Sequence, residues 1–394
     1  MRVIFTGQTG INCDSEVLKN LGLFCKKMND PIEGLKLYSL NEELESLKID
    51  MISFLDSQNP QTKADIWKRA FNNILSKVKD EDPKHAFLSI HHIFYRYSSF
   101  FSPVEWDLIK EFQPDIFITL IDDLYSIWKR IKSRNEESPS ESHFCLRELS
   151  SWRSAEILMT DLLAKSLSSS KKIIRNYVVA VKHPAQMLHG LIFKPEKLIV
   201  YTAFPITSTR KVPEKVDEIN SFRMKLHEKF IVFDPITIDE DILRILLEKQ
   251  PPKRKETLLV GEKDRWPIPH GWSLCKDVDY PIELEANDAL EVVQDLKDHI
   301  MLRDFRLIEQ ADCLAGYRPY YERQRSIGVF AEMTYARDVA CKRRFFVHFP
   351  DKDGEPKDSP FASSGVPFAT VENLIKALRN IEKNKKNTKG NNNI

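Results

Sequence analysis

Two carboxylates in the last quarter of the sequence stand where they could take part in chemistry on a sugar. Glu332 lies in the segment S-I-G-V-F-A-E, on the first turns of an expected helix, and Asp312 stands at the head of an apolar strand. A carboxylate close to an oxocarbenium-like centre stabilises its positive charge and can trap it as a covalent ester. The structural alternatives are a helix N-terminal carboxylate stabilised by the macrodipole for Glu332 and a strand-edge cap for Asp312.

The residues around these carboxylates have the types expected of a ligand pocket. The apolar run at residues 198–203 leads directly into Phe204, which predicts a pocket floor at the carboxyl edge of a parallel sheet. After a basic loop at residues 318–325, Ser326 can donate to an anion and Gly328 permits close approach of the backbone. We expect these groups to face one edge of the sheet.

These motifs resemble the nucleoside 2-deoxyribosyltransferase superfamily, which carries a sugar-facing opening strand, an A-D before a middle strand and a G-x-x-x-E near a helix start. The segment S-x-G-V-x-x-E is similar to the 2′-deoxynucleoside 5′-monophosphate N-hydrolase branch of that superfamily. The motifs occur in the family order between residues 198 and 336, roughly a third of the chain. Two features depart from the small hydrolases: the loop before Ser326 is longer and more basic, and residues 250–279 look like an insertion.

The resemblance implies a role for each of these residues. Glu332 would be the nucleophile that attacks the anomeric carbon, forming a glycosyl ester that water or another base resolves. Asp312 would bind the sugar hydroxyls or assist proton transfer to the departing base. Ser326 and the Gly328 backbone would hold the 5′-phosphate. The other implied substrate-binding residues are arginines that add positive charge and aromatic residues that flank the base or sugar: Arg318, Arg323, Arg325, Tyr201 and Phe204.

Near the N-terminus, a first strand runs into the loop G-Q-T-G-I-N at residues 7–12, followed by a helix. Backbone N–H groups in such a loop, together with the helix N-terminus, can bind phosphates. With Gly7, Gly10 and Asn12 in its glycine positions, the loop resembles the G-x-x-G-x-G-K-[ST] of P-loop kinases of the adenylate-kinase type. Cys13 and Asp14 replace the lysine and the hydroxyl residue, which argues against phosphoryl transfer. The resemblance therefore implies a degenerate nucleotide-kinase-like domain.

A second feature of this half is the acidic pair Asp122 and Asp123, which follows the apolar run at residues 116–121. The kinase resemblance implies a magnesium-associated acid here, while the structural alternative is that the pair caps the following helix. Magnesium is expected only if this domain binds a nucleotide. Glycosidic cleavage requires no cofactor, and no metal site is predicted.

The fold class is predicted from short apolar runs that alternate with stretches of helical periodicity. This pattern predicts an α/β protein of two domains, each a mostly parallel sheet flanked by helices. The first domain, residues 1–194, would be P-loop-kinase-like, and the second, residues 195–382, flavodoxin- or Rossmann-like. Residues 383–394 have no apolar face, and we expect a disordered tail.

Composition excludes several classes of protein. With 59 Lys+Arg and 58 Asp+Glu the net charge is +1, so no global bias marks a nucleic-acid or membrane-surface binder. No apolar run reaches the roughly 18 residues of a membrane span. The six cysteines are scattered without a C-x-x-C, which favours reduced thiols and a cytoplasmic protein.

The leading hypothesis is therefore an enzyme that cleaves, or transfers across, the N-glycosidic bond of a nucleotide or nucleoside. We expect a nucleotide or nucleoside substrate, no nucleic-acid polymer, no membrane, and assembly as a homo-oligomer. The alternatives are a nucleotide kinase that uses the N-terminal domain and a non-catalytic nucleotide-sensing protein.

Overall fold

The chain folds as alternating strands and helices in a computed structural model that describes residues 1–11, 16–28, 32–49, 54–55, 59–96, 98–137, 144–249, 256–269, 271–354 and 365–391. It divides into two units. Unit 1 comprises Met1–Ala185, Glu240–Arg265 and Trp272–Leu296, and unit 2 comprises Gln186–Asp239, Trp266–Gly271 and Lys297–Ile394.

The strands are β1 (Arg2–Thr6), β2 (Leu35–Ser39), β3 (His85–Ser89), β4 (Phe94–Arg96), β5 (Ser99–Phe101), β6 (Ile116–Ile121), β7 (Arg175–Ala180), β8 (Ile199–Ala203), β9 (Ile231–Phe233), β10 (Thr257–Val260), β11 (Ile282–Glu285), β12 (Cys313–Tyr317), β13 (Tyr320–Tyr321), β14 (Gln324–Arg325), β15 (Arg343–Val347) and β16 (Val366–Phe368). The helices are α1 (Leu18–Lys27), α2 (Leu40–Ser46), α3 (Pro60–Glu81), α4 (Trp106–Phe112), α5 (Leu124–Glu137), α6 (Leu146–Leu167), α7 (Ala185–Phe193), α8 (Pro213–His227), α9 (Asp241–Lys249), α10 (Ala286–Gln310), α11 (Ile327–Asp338), α12 (Pro350–Asp353) and α13 (Val371–Asn391). None of the helices in these described ranges has an apolar stretch long enough to cross a membrane.

The main sheet of unit 1 is parallel, with the strand order β2-β3-β1-β6-β7. In the register of β1, Val3 is paired with Phe87 on one side and Ile116 on the other. Every residue of β6 is buried, as expected for a central strand that helices cover on both faces. The carboxyl ends of these strands therefore form one edge, which carries the N-terminal loop at Gly7 and the acidic pair that begins at Asp122.

The main sheet of unit 2 is also parallel, with the strand order β16-β15-β12-β8-β9. When these five strands are numbered by their order along the chain, the sheet has the order 2-1-3-4-5 of flavodoxin-like folds. The strand order reverses between β8 and β12, and this position is the switch point of the sheet. The predicted fold class, two mostly parallel α/β sheets flanked by helices, is confirmed.

The two units differ from the predicted domain limits of 1–194 and 195–382. Residues of α7 from Gln186 onward group with unit 2, whereas residues 240–265 and 272–296 group with unit 1. Gly190 on α7 lies against Ile231, where a Cβ atom would come within 2.8 Å of that side chain. Because the chain passes between the units several times, a single cut in the sequence cannot describe them.

Residues 383–391 are helical, whereas a disordered tail was predicted for residues 383–394. Helix α13 continues to Asn391. Lys385 Nζ donates to the Lys197 carbonyl over 3.0 Å and to Asp312 Oδ2 over 2.6 Å. One turn earlier, Glu382 accepts a hydrogen bond from the Leu198 amide over 2.9 Å. These contacts fasten the helix to the amino edge of the sheet, which the polar composition of the tail did not predict.

Candidate active site

The hydroxyl of Tyr201 and the carboxylate of Glu332 meet on one face of the unit 2 sheet. Tyr201, the third residue of β8, is buried, and its hydroxyl donates to Glu332 Oε1 over 2.6 Å. Glu332 is half-buried and is the sixth residue of α11, the helix that packs against β8, β12 and β15. Both residues were predicted as site residues from the sequence, whereas their contact was not.

Both groups lie at a similar depth below the carboxyl edge of the sheet. Helix α11 follows the carboxyl end of β12, and Glu332 lies about 7.5 Å along the helix from Ile327. Tyr201 precedes Ala203, the last residue of β8, by about 7 Å. The pair therefore lies beneath the switch point, where ligands of open α/β sheets bind.

Asp304 on helix α10 is a second carboxylate, and its negative charge affects the pKa of both Tyr201 and Glu332. Burial raises the pKa of Glu332 well above its usual value and the negative charge of Asp304 raises it further, against the opposing effect of the Tyr201 hydrogen bond. Burial, and then the charges of Asp304 and Glu332, also raise the pKa of Tyr201, which keeps its phenol protonated and able to donate. Arg303 donates to Asp304 Oδ1 from Nε over 3.0 Å and from Nη2 over 2.9 Å.

This arrangement has the elements of acid–base and nucleophilic chemistry at a sugar. Two neighbouring carboxyl groups with different partners can divide the roles of proton donor and nucleophile between them. Glu332 receives a neutral hydrogen-bond donor, whereas Asp304 receives a cation. A half-buried carboxyl group with a raised pKa and a fixed hydrogen-bond donor is a candidate functional group.

Asp304 was missed as a site residue, although the sequence contains a signal for it. Asp304, Leu307, Ile308 and Ala311 follow the spacing i, i+3, i+4, i+7, so they share one face of α10. The last three are buried apolar residues, and Asp304 is also buried. An acidic residue on the apolar stripe of a helix indicates a carboxylate that faces inward rather than solvent.

Asp312 is the main correction to the predicted site. It immediately precedes β12, and the strands are parallel, so it lies at the amino edge of the sheet, about 16 Å from the carboxyl edge. Asp312 Oδ2 accepts hydrogen bonds from the Ile199 amide over 2.8 Å and from Lys385 over 2.6 Å. These contacts fit the strand-edge alternative and separate Asp312 from the pocket predicted at the opposite edge.

Ser326 and Gly328 lie at the start of α11, as the sequence predicted. Ser326 is the N-cap residue, its side chain makes no capping hydrogen bond, and its amide donates to the Pro319 carbonyl over 2.9 Å. Apart from its two chain neighbours and the backbone of its own helix, no heavy atom of the described residues lies within 4 Å of the position of a Cβ on Gly328. The packing of the described chain therefore does not require glycine at this position, and the space beside it is open.

The three arginines expected at a phosphate have different environments. Arg318 is buried and makes bidentate contacts with both Asp353 and Glu218, so its charge is already balanced by the chain. Arg323 is exposed in the turn of the β13–β14 hairpin. Arg325 is exposed and lies over the ring of Phe330, with its guanidinium 3.9 Å from the ring centroid. Arg318 is thus corrected to a structural residue, whereas Arg323 and Arg325 remain accessible.

Phe204 is also corrected, from a pocket-lining residue to a core residue. Only 2% of its surface is exposed, and its ring lies 6.1 Å from that of Trp266 and 5.6 Å from the guanidinium of Arg223. Arg223 Nε in turn donates to the buried Asp234 over 2.7 Å. The aromatic residue at the end of β8 therefore stabilises the unit rather than facing a ligand.

In unit 1 the two glycines of the N-terminal loop are required by packing. A Cβ on Gly7 would come within 2.9 Å of the Leu120 carbonyl, and Gly10 adopts φ +88° beside Ile127. The Gly10 carbonyl accepts a hydrogen bond from Arg130 Nη1 over 3.0 Å. Asn12, Cys13 and Asp14, the other residues discussed for this loop, lie outside the described residues.

Asp122 does not fit a magnesium ligand. It is fully buried, and its two oxygens contact Lys182 and Arg130, the latter over 2.7 Å. The adjacent Asp123 contacts Lys182 and also Arg265, over 3.2 Å. Within the described ranges no group of three His, Cys, Asp or Glu side chains is suited to a metal ion. The carboxylate oxygens that a cation would need are therefore bound to the chain's own basic groups.

Comparisons with known proteins do not assign a family. No protein-family model and no curated protein matches the chain. Among solved structures, it is similar to a shikimate kinase from Bacteroides thetaiotaomicron, with 12% identity and a TM-score of 0.26, over 46% of this chain and 85% of that one. A likeness this slight carries no conclusion about function.

Proposed function

We propose that unit 2 cleaves the N-glycosidic bond of a nucleoside or nucleotide, with Glu332 as the nucleophile. The observation that supports this proposal is the 2.6 Å hydrogen bond from Tyr201 to Glu332 beneath the switch point of the sheet. Once Glu332 has lost its proton, the neutral phenol stabilises the carboxylate without pairing it with a positive charge, so the carboxylate can attack a sugar carbon.

The reaction would proceed in two displacements. In the first, a carboxylate oxygen of Glu332 bonds to C1′ as the bond from C1′ to the base nitrogen breaks, and the electron pair leaves with the base. The proton that the raised pKa keeps on Glu332 at rest would first pass to Asp304, and Asp304 would then supply it to the departing base. In the second, water attacks C1′, its proton returns to Asp304, and the ester to Glu332 breaks to release the sugar. A second base in place of water would give transfer rather than hydrolysis.

The start of α11 supports a substrate that carries a 5′-phosphate. Backbone amides at a helix N-terminus attract anions, and the space beside Gly328 is open. Arg325 is exposed directly before Ser326, whose side chain makes no capping bond. We therefore propose nucleoside monophosphates as the first substrates to test, with the corresponding nucleosides as the comparison.

Release of free base from a panel of nucleosides and 5′-monophosphates tests the proposal. Glu332→Gln should reduce release by at least about 10⁴-fold, because amides are poor nucleophiles at carbon. The matched control is Glu228→Gln, which changes an exposed glutamate of unit 2 in the same way and should leave the rate unchanged. Equal rates for wild type and Glu332→Gln would remove Glu332 as the nucleophile.

A nucleotide kinase in unit 1 is the second candidate. The observation that favours it is the turn at Gly7 and Gly10, directly after the central strand of a parallel sheet. Incubation with ATP and a panel of nucleoside monophosphates tests it, since ADP formation that persists in Glu332→Gln would support a kinase. Nucleotide binding without release of base or ADP would instead support the non-catalytic sensing protein.

A further inference from the structure

Helix α13 carries a row of basic residues on its solvent-exposed face. Their spacing of three, four and three residues places them on one side of the helix, whose opposite side contributes Leu374 and Leu378 to the core of unit 2. All four side chains of the row are exposed: Lys376, Arg379, Lys383 and Lys386. Between Lys376 and Lys386 the row extends for about 15 Å.

The described part of the chain does not pair the positive charge of this row. No ion pair joins any of the four side chains to an acidic group within the described residues. Residues 371–394 contain six basic and two acidic residues, so this segment has a net charge of +4 while the whole chain has +1. The remaining chain therefore carries a net negative charge, and the basic character is concentrated at this end.

Neighbouring elements of unit 2 extend the basic surface. A groove of about 460 Å³ between α8 and α13 is lined by Lys225, Glu228, Lys229, Glu372, Ile375, Lys376 and Arg379. Its acidic members are each paired with a lysine, Glu372 with Lys225 and Glu228 with Lys229. Burial lowers the pKa of Lys197, and the charges of the nearby Lys194 and Lys386 act in the same direction, against those of Glu382 and Glu196.

We propose that this face of α13, with the adjoining groove, binds the phosphate backbone of a nucleic-acid strand. Lysine and arginine side chains that contact successive phosphates supply the sequence-independent part of nucleic-acid affinity. A 15 Å row matches about four nucleotides at 3.4 Å per residue of one strand. The apolar residues of α13 are directed into the core, so the helix lacks the exposed apolar side that insertion into a membrane surface requires. This proposal is independent of glycosidic cleavage.

Fluorescence anisotropy of the full chain with a labelled oligonucleotide of about 20 residues tests this proposal. The binding of single-stranded DNA, duplex DNA and RNA of the same sequence is compared, which shows the kind of nucleic acid that the surface binds. For duplex DNA the slope of log K against log salt should lie between about −3 and −4, because four cations replace counterions. Lys376→Gln with Arg379→Gln should reduce this slope by about 2, and lower the affinity at about 50 mM salt by about tenfold per charge removed.

The matched control is Lys68→Gln with Arg69→Gln, which removes the same charge from exposed positions on α3. This variant should keep the slope and affinity of the wild type. Equal weakening in the two double variants would overturn the proposal, because it would show a non-local effect of net charge. The proposal would also be overturned if the protein did not bind nucleic acid at about 50 mM salt, or if it bound phosphatidylserine-containing vesicles instead.

Discussion

Asp122 in unit 1 and Glu332 in unit 2 both lie beside a parallel sheet, but their charges are balanced in opposite ways. In unit 1, Asp122 contacts both Lys182 and Arg130. In unit 2, Glu332 receives a hydrogen bond from a neutral phenol, and the neighbouring group with the largest electrostatic effect on it is another carboxylate, Asp304. In the first arrangement cations keep Asp122 ionised, whereas in the second burial and a like charge favour the protonated form of Glu332.

The pKa values follow this difference. Although burial raises the pKa of Asp122, the charges of Lys182 and Arg130 lower it to about 2. Burial and the charge of Asp304 instead raise the pKa of Glu332 well above its usual value. A buried ion pair is costly to break and has little freedom to exchange protons, whereas a carboxyl group with a raised pKa keeps its proton to higher pH and can pass it to a neighbouring group. Asp122 therefore has a structural role, whereas the environment of Glu332 supports a chemical one.

The largest expected effect comes from breaking the ion network of unit 1. Lys182→Met leaves Asp122 and Asp123 buried with less compensating charge, and should lower the free energy of unfolding by about 3–5 kcal/mol. Urea denaturation at neutral pH measures the change. Because the folded pKa of Asp122 lies below its unfolded value, its contribution to wild-type stability is present above about pH 4 and is lost as pH falls toward 2.

The control for this prediction is Lys79→Met, an exposed lysine on α3 whose loss should change stability by less than about 0.5 kcal/mol. If Lys182→Met were as stable as this control, the network would not hold unit 1 together. The carboxyl edge of its sheet could then exchange partners with a ligand, as the kinase alternative requires.

The next effect concerns the second carboxylate of unit 2. Asp304→Asn removes the proposed proton donor and should reduce base release by about 10²- to 10³-fold. It also removes the negative charge that raises the pKa of Glu332, so the acid limb of the pH profile of kcat/KM should move to lower pH. Asp298→Asn, on an exposed position of the same helix, is the matched control. An acid limb that does not move would show that the two carboxyl groups are not coupled.

Much of the fold was predictable from the sequence, because parallel strands covered on both faces are continuous apolar runs. The run at residues 116–121 was predicted as a strand and is β6 with the same limits. By contrast β2, with Lys36 and Leu37 exposed, and the three-residue β16 lack this signal and were not predicted. A strand at the edge of a sheet is defined by the strand with which it pairs, and the sequence alone does not show which strands are neighbours in the sheet.

The candidate site was predictable only in part. Glu332 and Tyr201 could be named from their local patterns, but which end of β12 carries a pocket depends on how the strands are assembled. The A-D pattern therefore directed attention to Asp312 rather than to Asp304, eight residues earlier. The net charge of +1 similarly concealed the basic row on α13, because a balanced total does not describe how charges are distributed.

A smaller effect distinguishes the stability of the two sites. The folded pKa of Glu332 is raised, so its ionisation costs stability progressively as pH rises above its unfolded pKa of about 4.3. Glu332→Gln should therefore be more stable than wild type by about 0.5–2 kcal/mol at pH 8, as is common for substitutions that remove functional strain. Below about pH 4 the two proteins should be equally stable. Urea titrations at both pH values measure this, and a destabilised variant at pH 8 would indicate a structural role instead.

The smallest effect is expected at Asp312, the carboxylate that the sequence pattern favoured. Asp312→Asn weakens its contact with Lys385 but can keep an acceptor for the Ile199 amide, so unfolding should become easier by only about 1 kcal/mol, since both side chains are partly exposed. Base release should stay within about twofold of wild type, because the residue lies at the amino edge, about 16 Å from the opposite edge. A loss of activity comparable to that of Asp304→Asn, with the fold intact by circular dichroism, would mean that the reacting sugar binds at the amino edge. The roles of the two aspartates would then be exchanged, and Tyr201 and Glu332 would lie too far from the sugar to react with it.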